Sequence, residues 1–84
     1  MRAFAIIEFR GDINAESFAE FARHRAARLS IDMEILSSDQ SHMAFKLGGD
    51  ADLLDAFDMA LSLGPADCTV RDVLWLTNRT GEGQ

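Results

Sequence analysis

The first residues of the chain carry apolar side chains on both faces of an extended segment. Arg2–Phe9 is rich in residues that favour β-strands and contains no helix breaker. One face of this segment carries Ala3, Ala5, Ile7 and Phe9, and the other carries Phe4, Ile6 and Glu8. Because both faces are mainly apolar, the pattern predicts a central strand that ends at Gly11 and Asp12.

Two later stretches have the spacing of amphipathic helices. The first begins after Asn14, a predicted N-cap, and runs for about four turns with an apolar stripe of Phe18, Phe21, Ala22, Ala26 and Leu29. The second begins at Asp50, also a predicted N-cap, and its stripe consists of Leu53, Leu54, Phe57, Ala60 and Leu61. Gly64 followed by Pro65 is a strong signal for the end of that helix. We expect the basic face of the first helix to pair with the acidic face of the second.

Three further strands complete the pattern. Alternating apolar positions mark two short strands, one at Met33 and Ile35 and the next at Met43, Phe45 and Leu47. The polar segment Ser37–His42 is predicted to be the hairpin between them, and Gly48–Gly49 the end of the second strand. The last strand is predicted from Cys68 to Leu76. The remaining segment, 77–84, has little apolar content and is predicted to be a flexible tail beyond a domain that spans 1–76.

The predicted order β-α-β-β-α-β indicates an α+β fold of the ferredoxin-like type. In this two-layer sandwich both helices cover one face of a four-stranded sheet. The helix stripes supply the apolar surface that such a face requires. Eighty-four residues are enough for one domain of this kind.

Charge and composition exclude several classes of function. The net charge of −6 disfavours nonspecific binding to nucleic acid, which needs clustered cations. No apolar run approaches the ~20 residues of a membrane helix, and the N-terminus lacks the pattern of a signal peptide. We therefore expect a cytoplasmic protein with no membrane or nucleic-acid partner. Cys68 is the single cysteine and has no internal disulfide partner.

Several sequence features resemble the acylphosphatase family. The family's strand end is matched by Gly49-Asp50, and its helix end by Gly64-Pro65. Its closing strand is matched by the Val70…Val73 pair. Gly11 and Ile13 match the start of its G-x-V-Q-G-V-x-F-R loop, and the first helix stripe matches the helix that follows. The resemblance implies an acylphosphatase-like sandwich whose loop binds a phosphate through backbone N–H groups. It also implies an arginine that binds the phosphate and an asparagine that orients the attacking water.

The sequence departs from the family at both catalytic positions. Ala19 stands where the family has its arginine, and Ser37 where it has its asparagine. The candidate ligand-binding loop consists of Gly11, Asp12, Ile13, Asn14, Ala15, Glu16, Ser17 and Phe18. It carries two acidic side chains, Asp12 and Glu16. Arg23, one helical turn beyond Ala19, is the candidate compensating cation.

These departures lead to a hypothesis and two alternatives. The hypothesis is a catalytically degenerate acylphosphatase-like domain that acts as a small binding or regulatory module and not as an enzyme. The first alternative is a weak or shifted acylphosphatase that uses Arg23 or Arg10, and the second is a small-molecule-sensing module of the ACT type.

The partner is expected to be a protein or a small ligand of unknown identity, and the chain a monomer or a weak homodimer. We expect no cofactor. We also expect no metal site, because His24 and His42 lack further ligands at suitable spacing and the aspartates of the second helix do not lie on a loop.

Overall fold

The computed structural model describes residues 2–80 and contains four strands and two helices. Their bounds are β1 Arg2–Asp12, α1 Ala15–Arg28, β2 Asp32–Ser38, β3 His42–Asp50, α2 Ala51–Leu63 and β4 Thr69–Thr80. This order confirms the predicted β-α-β-β-α-β arrangement. No helix in the described range is long and apolar enough to cross a membrane.

The four strands form one antiparallel sheet in the order β2-β3-β1-β4. Strand β1 lies in the interior of the sheet, as its two apolar faces predict. It pairs with β3 through contacts such as Ile7 with Phe45, and with β4 through contacts such as Phe9 with Val73. The fold is therefore the predicted ferredoxin-like α+β sandwich.

The core lies between the two helices and one face of the sheet. The strand β1 residues that face it are Ala3, Ala5, Ile7 and Phe9, all at most 2% exposed. Four phenylalanines from different elements, Phe9, Phe18, Phe45 and Phe57, form a chain of ring contacts with centroids 5.6 to 6.2 Å apart. Such ring pairs contribute about 0.5–1.5 kcal/mol each beyond the burial of their surface.

The helix ends largely follow the sequence signals. Asn14 is the N-cap of α1, and its side-chain oxygen accepts a hydrogen bond from the backbone N–H of Ser17 at 3.2 Å. Helix α2 ends at Leu63, and Gly64 adopts a φ of 67° there, a conformation that glycine tolerates without strain. Asp50 occupies the N-cap position of α2 as predicted, but its side chain makes no capping hydrogen bond.

Two predicted strand ends are wrong. Strand β3 does not stop at the two glycines but runs through Gly48 and Gly49 to Asp50, because both continue the pairing with β1. Strand β4 continues four residues past Leu76, so 77–80 pair with β1 and are not a tail. The rest of the predicted tail, 81–84, lies outside the described residues.

The predicted pairing between the two helix surfaces is also wrong. Arg23 and Arg28 are exposed on α1, and within residues 2–76 no ion pair joins α1 to α2. The ion pair on α1 is internal to the helix and joins His24 to Glu20 at 4.0 Å. Arg23, Arg28, Asp52 and Asp55 are therefore directed towards solvent, where a surface ion pair contributes little, whereas Asp58 is half-buried and bonded to Trp75.

Candidate functional site

The candidate loop lies where strand β1 passes into helix α1, and two other loops border it. A shallow depression at this end of the sandwich is lined by Asp12, Ile13, Asn14, Ala15, Glu16, Gln40 and Asp67. Gln40 belongs to the β2–β3 hairpin, and Asp67 to the loop that connects α2 to β4. The structure thus brings the predicted loop together with two residues that the sequence analysis did not select.

Most backbone N–H groups of the loop already donate hydrogen bonds within the protein. Gly11 donates to the carbonyl of Ser41 at 3.0 Å, and Ile13 donates to the carbonyl of Gln40 at 2.9 Å. Three N–H groups of the following segment are also bonded, those of Asn14 to the Cys68 sulfur, Ser17 to the Asn14 side chain and Phe18 to the Asn14 carbonyl, whereas no such bond is seen for Ala15 and Glu16 within the described residues. An anion could therefore reach few of the amides that a phosphate cradle uses.

The carboxylate of Asp67 lies at the N-terminus of helix α1. Its Oδ2 accepts a hydrogen bond from Asn14 Nδ2 at 3.2 Å, and its Oδ1 accepts one from Ser17 Oγ at 2.9 Å. A helix N-terminus favours negative charge because of its unpaired N–H groups and its dipole. Asp67 thus supplies from within the protein the kind of negative charge that this position attracts.

The electrostatic surroundings of the loop are acidic. Asp12, Glu16 and Asp67 all line the depression, and Asp12 Oδ2 pairs with Arg71 Nη2 at 2.8 Å. Three carboxylates against this one guanidinium leave the local charge at −2. Such a site attracts cationic or hydrogen-bond-donating groups more readily than phosphate.

The two positions at which the sequence departs from the acylphosphatase pattern lie in different environments. Ala19 is buried in the core, 6% exposed, so its methyl group packs under the helix and does not face the depression. Ser37 is exposed on β2, and its hydroxyl lies 3.1 Å from His42 Nε2. The candidate cation Arg23 is exposed and lies about 12 Å along α1 from the start of the helix, at ~1.5 Å per residue.

Cys68 packs beneath the same loop. Its sulfur accepts the N–H of Asn14 at 3.3 Å, and the side chain is 8% exposed. Burial raises the pKa of the Cys68 thiol, and the carboxylate of Asp67 adds to the effect. The residue therefore supports the loop, and its raised pKa lowers the fraction of reactive thiolate.

The sequence pattern did not indicate a role for Asp67 or for the neighbours of Ser37. Asp67 lies 53 positions from Asn14, so no local spacing links the two residues. The pairing of β1 with β4 is the signal that could have found it, because it brings the start of β4 beside the end of β1. Within the described residues no three histidine, cysteine or acidic side chains are placed to hold a metal ion.

Comparisons with solved structures identify the fold. The acylphosphatase from Bacillus subtilis is similar with a TM-score of 0.78 and 20% identity, covering 93% of this chain and 84% of that one. The acylphosphatase from Coxiella burnetii is similar with a TM-score of 0.79 and 19% sequence identity, and the match covers 88% of this chain and 78% of that one. HypF, solved at full length in its phosphate- and nucleotide-bound form, is similar with a TM-score of 0.80 and 12% sequence identity. The match covers 100% of this chain and 11% of that one.

No protein-family model matches the sequence, and no curated protein does. At these identities the structural similarity concerns the fold, and in its fold the chain is an acylphosphatase-like domain.

Proposed function

We propose that this chain is an acylphosphatase-like domain that does not hydrolyse acyl phosphates and serves as a small binding or regulatory module. The observation that carries the proposal is the Asp67 carboxylate, which Asn14 and Ser17 hold at the N-terminus of α1. A phosphate bound in the same place would have to displace it.

Two energetic effects oppose acyl-phosphate hydrolysis. A charge-assisted hydrogen bond contributes about 1.5–3 kcal/mol, and the bidentate arginine expected from the resemblance would make two. Ala19 makes none, and a loss of several kcal/mol corresponds to a rate lower by several factors of ten. The acids Asp12 and Glu16 add repulsion towards an incoming phosphate.

The same features support a partner with a different chemistry. The depression has a local charge of −2, and its lining includes the side-chain oxygens of Asn14 and Gln40. A cationic or amide-rich group, on a small ligand or on a protein segment, complements such a surface. We place the binding surface of the module at this loop.

Benzoyl phosphate hydrolysis tests the proposal directly. We expect the rate with the full chain to equal the buffer rate, with the Bacillus subtilis acylphosphatase assayed in parallel as the positive control. Turnover comparable to that enzyme would overturn the proposal.

A phosphate titration followed by NMR tests the role of Asp67. With the wild-type chain we expect no shifts at 11–18 up to millimolar inorganic phosphate. Asp67→Asn keeps the size of the side chain but removes the charge and one of the two acceptors, so phosphate-dependent shifts should appear in that variant. The matched control is Asp72→Asn, an exposed acid on β4 that does not line the depression.

Weak acylphosphatase activity is the second candidate function. Its support is the structural similarity to two acylphosphatases and the presence of Arg71, a cation bound to Asp12 at the loop. Under this alternative Arg71 would act in place of Arg23 or Arg10, the cations expected from the sequence, so Arg71→Gln would abolish a slow hydrolysis and Arg23→Gln would leave it unchanged. The absence of any hydrolysis above buffer rejects this alternative.

A further inference from the structure

A serine, a histidine and an aspartate come together in the β2–β3 hairpin, whose Gln40 lines the depression that contains Asp67. Ser37 Oγ lies 3.1 Å from His42 Nε2, and His42 Nδ1 lies 3.1 Å from Asp39 Oδ1. The hydroxyl and the carboxylate therefore contact opposite nitrogens of one imidazole ring. The Ser37–His42 contact joins a hydroxyl to a base, as in an activated nucleophile, whereas Asp39 lies at ion-pair distance from Nδ1 without a hydrogen bond to it.

The hairpin holds these three side chains in place through backbone contacts. Asp39 Oδ1 accepts the N–H of Ser41 at 2.7 Å and the N–H of His42 at 2.9 Å, which fixes the carboxylate at the turn. Bonds from the Ser41 backbone and hydroxyl hold the pKa of Asp39 below its usual range, so the carboxylate stays ionised. A negative oxygen beside Nδ1 favours the tautomer that carries its proton there, and in that tautomer Nε2 can accept the Ser37 proton.

The cluster lies on the sheet face that the helices leave open. Met43 and Phe45 of β3 are buried under the helices, so the intervening positions of the strand point to the other face. Ser37 is opposite Ala44 in the register, and Arg10 of β1 is opposite His42. Ser37 is exposed and the His42 side chain retains 27% of its accessible surface, so a small molecule can reach both.

Arg10 adds a positive charge to the same face. Its Nε donates to Glu8 Oε2 at 3.1 Å, and within residues 2–76 its two terminal amines have no hydrogen-bond partner. The strand register places Arg10 opposite His42, where its guanidinium, shared with Glu8, is suited to stabilise negative charge that develops on a carbonyl oxygen.

We propose that Ser37 is a nucleophile, activated by His42, that accepts an acyl group from activated esters of short carboxylic acids. Ser37 Oγ attacks the carbonyl carbon while its proton passes to His42 Nε2. The bond to the alcohol leaving group breaks, and that group takes the proton from Nε2. Water then attacks the acyl-serine, gives its proton to His42, and releases the carboxylic acid as Ser37 regains its proton.

This activity is separate from the proposed loss of acyl-phosphate hydrolysis. It uses a hydroxyl nucleophile and an ester, and it requires no anion at the α1 N-terminus. The two proposals can therefore fail independently of each other.

The experiment uses the full chain and p-nitrophenyl acetate. We expect release of p-nitrophenolate above the buffer rate, and mass spectrometry of a digest quenched in acid should place an acetyl group on Ser37. Ser37→Ala should abolish that label. His42→Gln should lower the rate by roughly a hundredfold, the lower end of what a positioned general base contributes.

Two matched variants separate this chemistry from nonspecific acylation. Ser38→Ala removes the neighbouring exposed hydroxyl, and His24→Gln removes the other imidazole, which lies exposed on α1. Both should retain the wild-type rate, and circular dichroism should confirm that every variant is folded. An acetyl group found on Lys46 but not on Ser37, or an unchanged rate in Ser37→Ala, would overturn the proposal.

Asp39 is a positioning residue in this scheme, and it has its own readout. Long-range ¹⁵N NMR of the imidazole should detect the proton of His42 on Nδ1 in the wild-type chain. In Asp39→Asn the ring should lose that preference and the acylation rate should fall with it. A wild-type ring with its proton on Nε2 would contradict the assigned direction of proton transfer.

Discussion

At the scale of single residues, Gly11 is the position where backbone geometry admits no side chain. Its φ is +155°, and a Cβ atom there would lie 1.9 Å from the carbonyl oxygen of Thr69. The contact is with the backbone of β4, so a side-chain rotation cannot relieve it. The end of β1 and the candidate loop can approach β4 this closely only because residue 11 is glycine.

We therefore expect Gly11→Ala to destabilise the fold by roughly 2–4 kcal/mol, measured by urea denaturation. The control is Gly48→Ala, since a Cβ there would meet only side-chain atoms of Arg2 and Phe4, at 3.2 and 3.4 Å. These side chains are exposed and can move, so the control should cost less than about 1 kcal/mol. Equal losses in the two variants would contradict the assigned role of the Thr69 contact.

The residues of the candidate site were only partly predictable from the sequence. The N-cap Asn14 was predictable because a cap acts on the helix that follows it directly in the chain. Asp67 was not, because its bonds to Asn14 and Ser17 depend on which strands pair. His42 was considered for metal binding and not as the partner of Ser37, since only the hairpin register brings the two side chains within 3.1 Å.

At the scale of elements, helix α2 has one buried side and one strongly exposed side. Leu61 is fully buried, whereas Leu63, two positions later, is 84% exposed. The helix is also tied to the sheet by a hydrogen bond of 2.8 Å from Trp75 Nε1 to Asp58 Oδ2. The orientation of α2 is therefore fixed by packing on one side and by a specific polar contact.

This orientation predicts opposite outcomes for two similar substitutions. Leu61→Ala should cost about 2–5 kcal/mol of unfolding free energy, because it leaves a cavity in the core. Leu63→Ala, the matched control, should change stability by less than about 0.5 kcal/mol. Urea denaturation of both variants measures the difference, and comparable losses would mean that α2 is rotated relative to its described position.

Local sequence signals predicted the existence of the helices and strands better than the residues at which the strands end. The apolar stripes predicted both helices because burial at helical spacing is a property of the segment itself. The glycines at positions 48 and 49 suggested a strand end, but the length of β1 extends the pairing through them. The same long partner carries β4 past Leu76, where composition alone indicated a tail.

At the scale of the whole molecule, the sandwich leaves apolar side chains exposed on both layers. Met59 and Leu63 are exposed on α2, and Leu74 and Leu76 are exposed on β4. The exposed fraction of these residues lies between 38% and 84%. The net charge of −6 opposes association through these surfaces at neutral pH. The balance between apolar attraction and charge repulsion should therefore determine the oligomeric state.

We expect a monomer at pH 7 and reversible self-association near the sequence pI of about 4.6, where the net repulsion disappears. Sedimentation velocity at both pH values measures this, with circular dichroism to confirm that the chain stays folded in acid. The double variant Met59→Ser/Leu63→Ser should associate less at the lower pH if the α2 surface takes part. A stable dimer at pH 7 would contradict the charge argument and would favour the ACT-type alternative, since modules of that type generally self-associate.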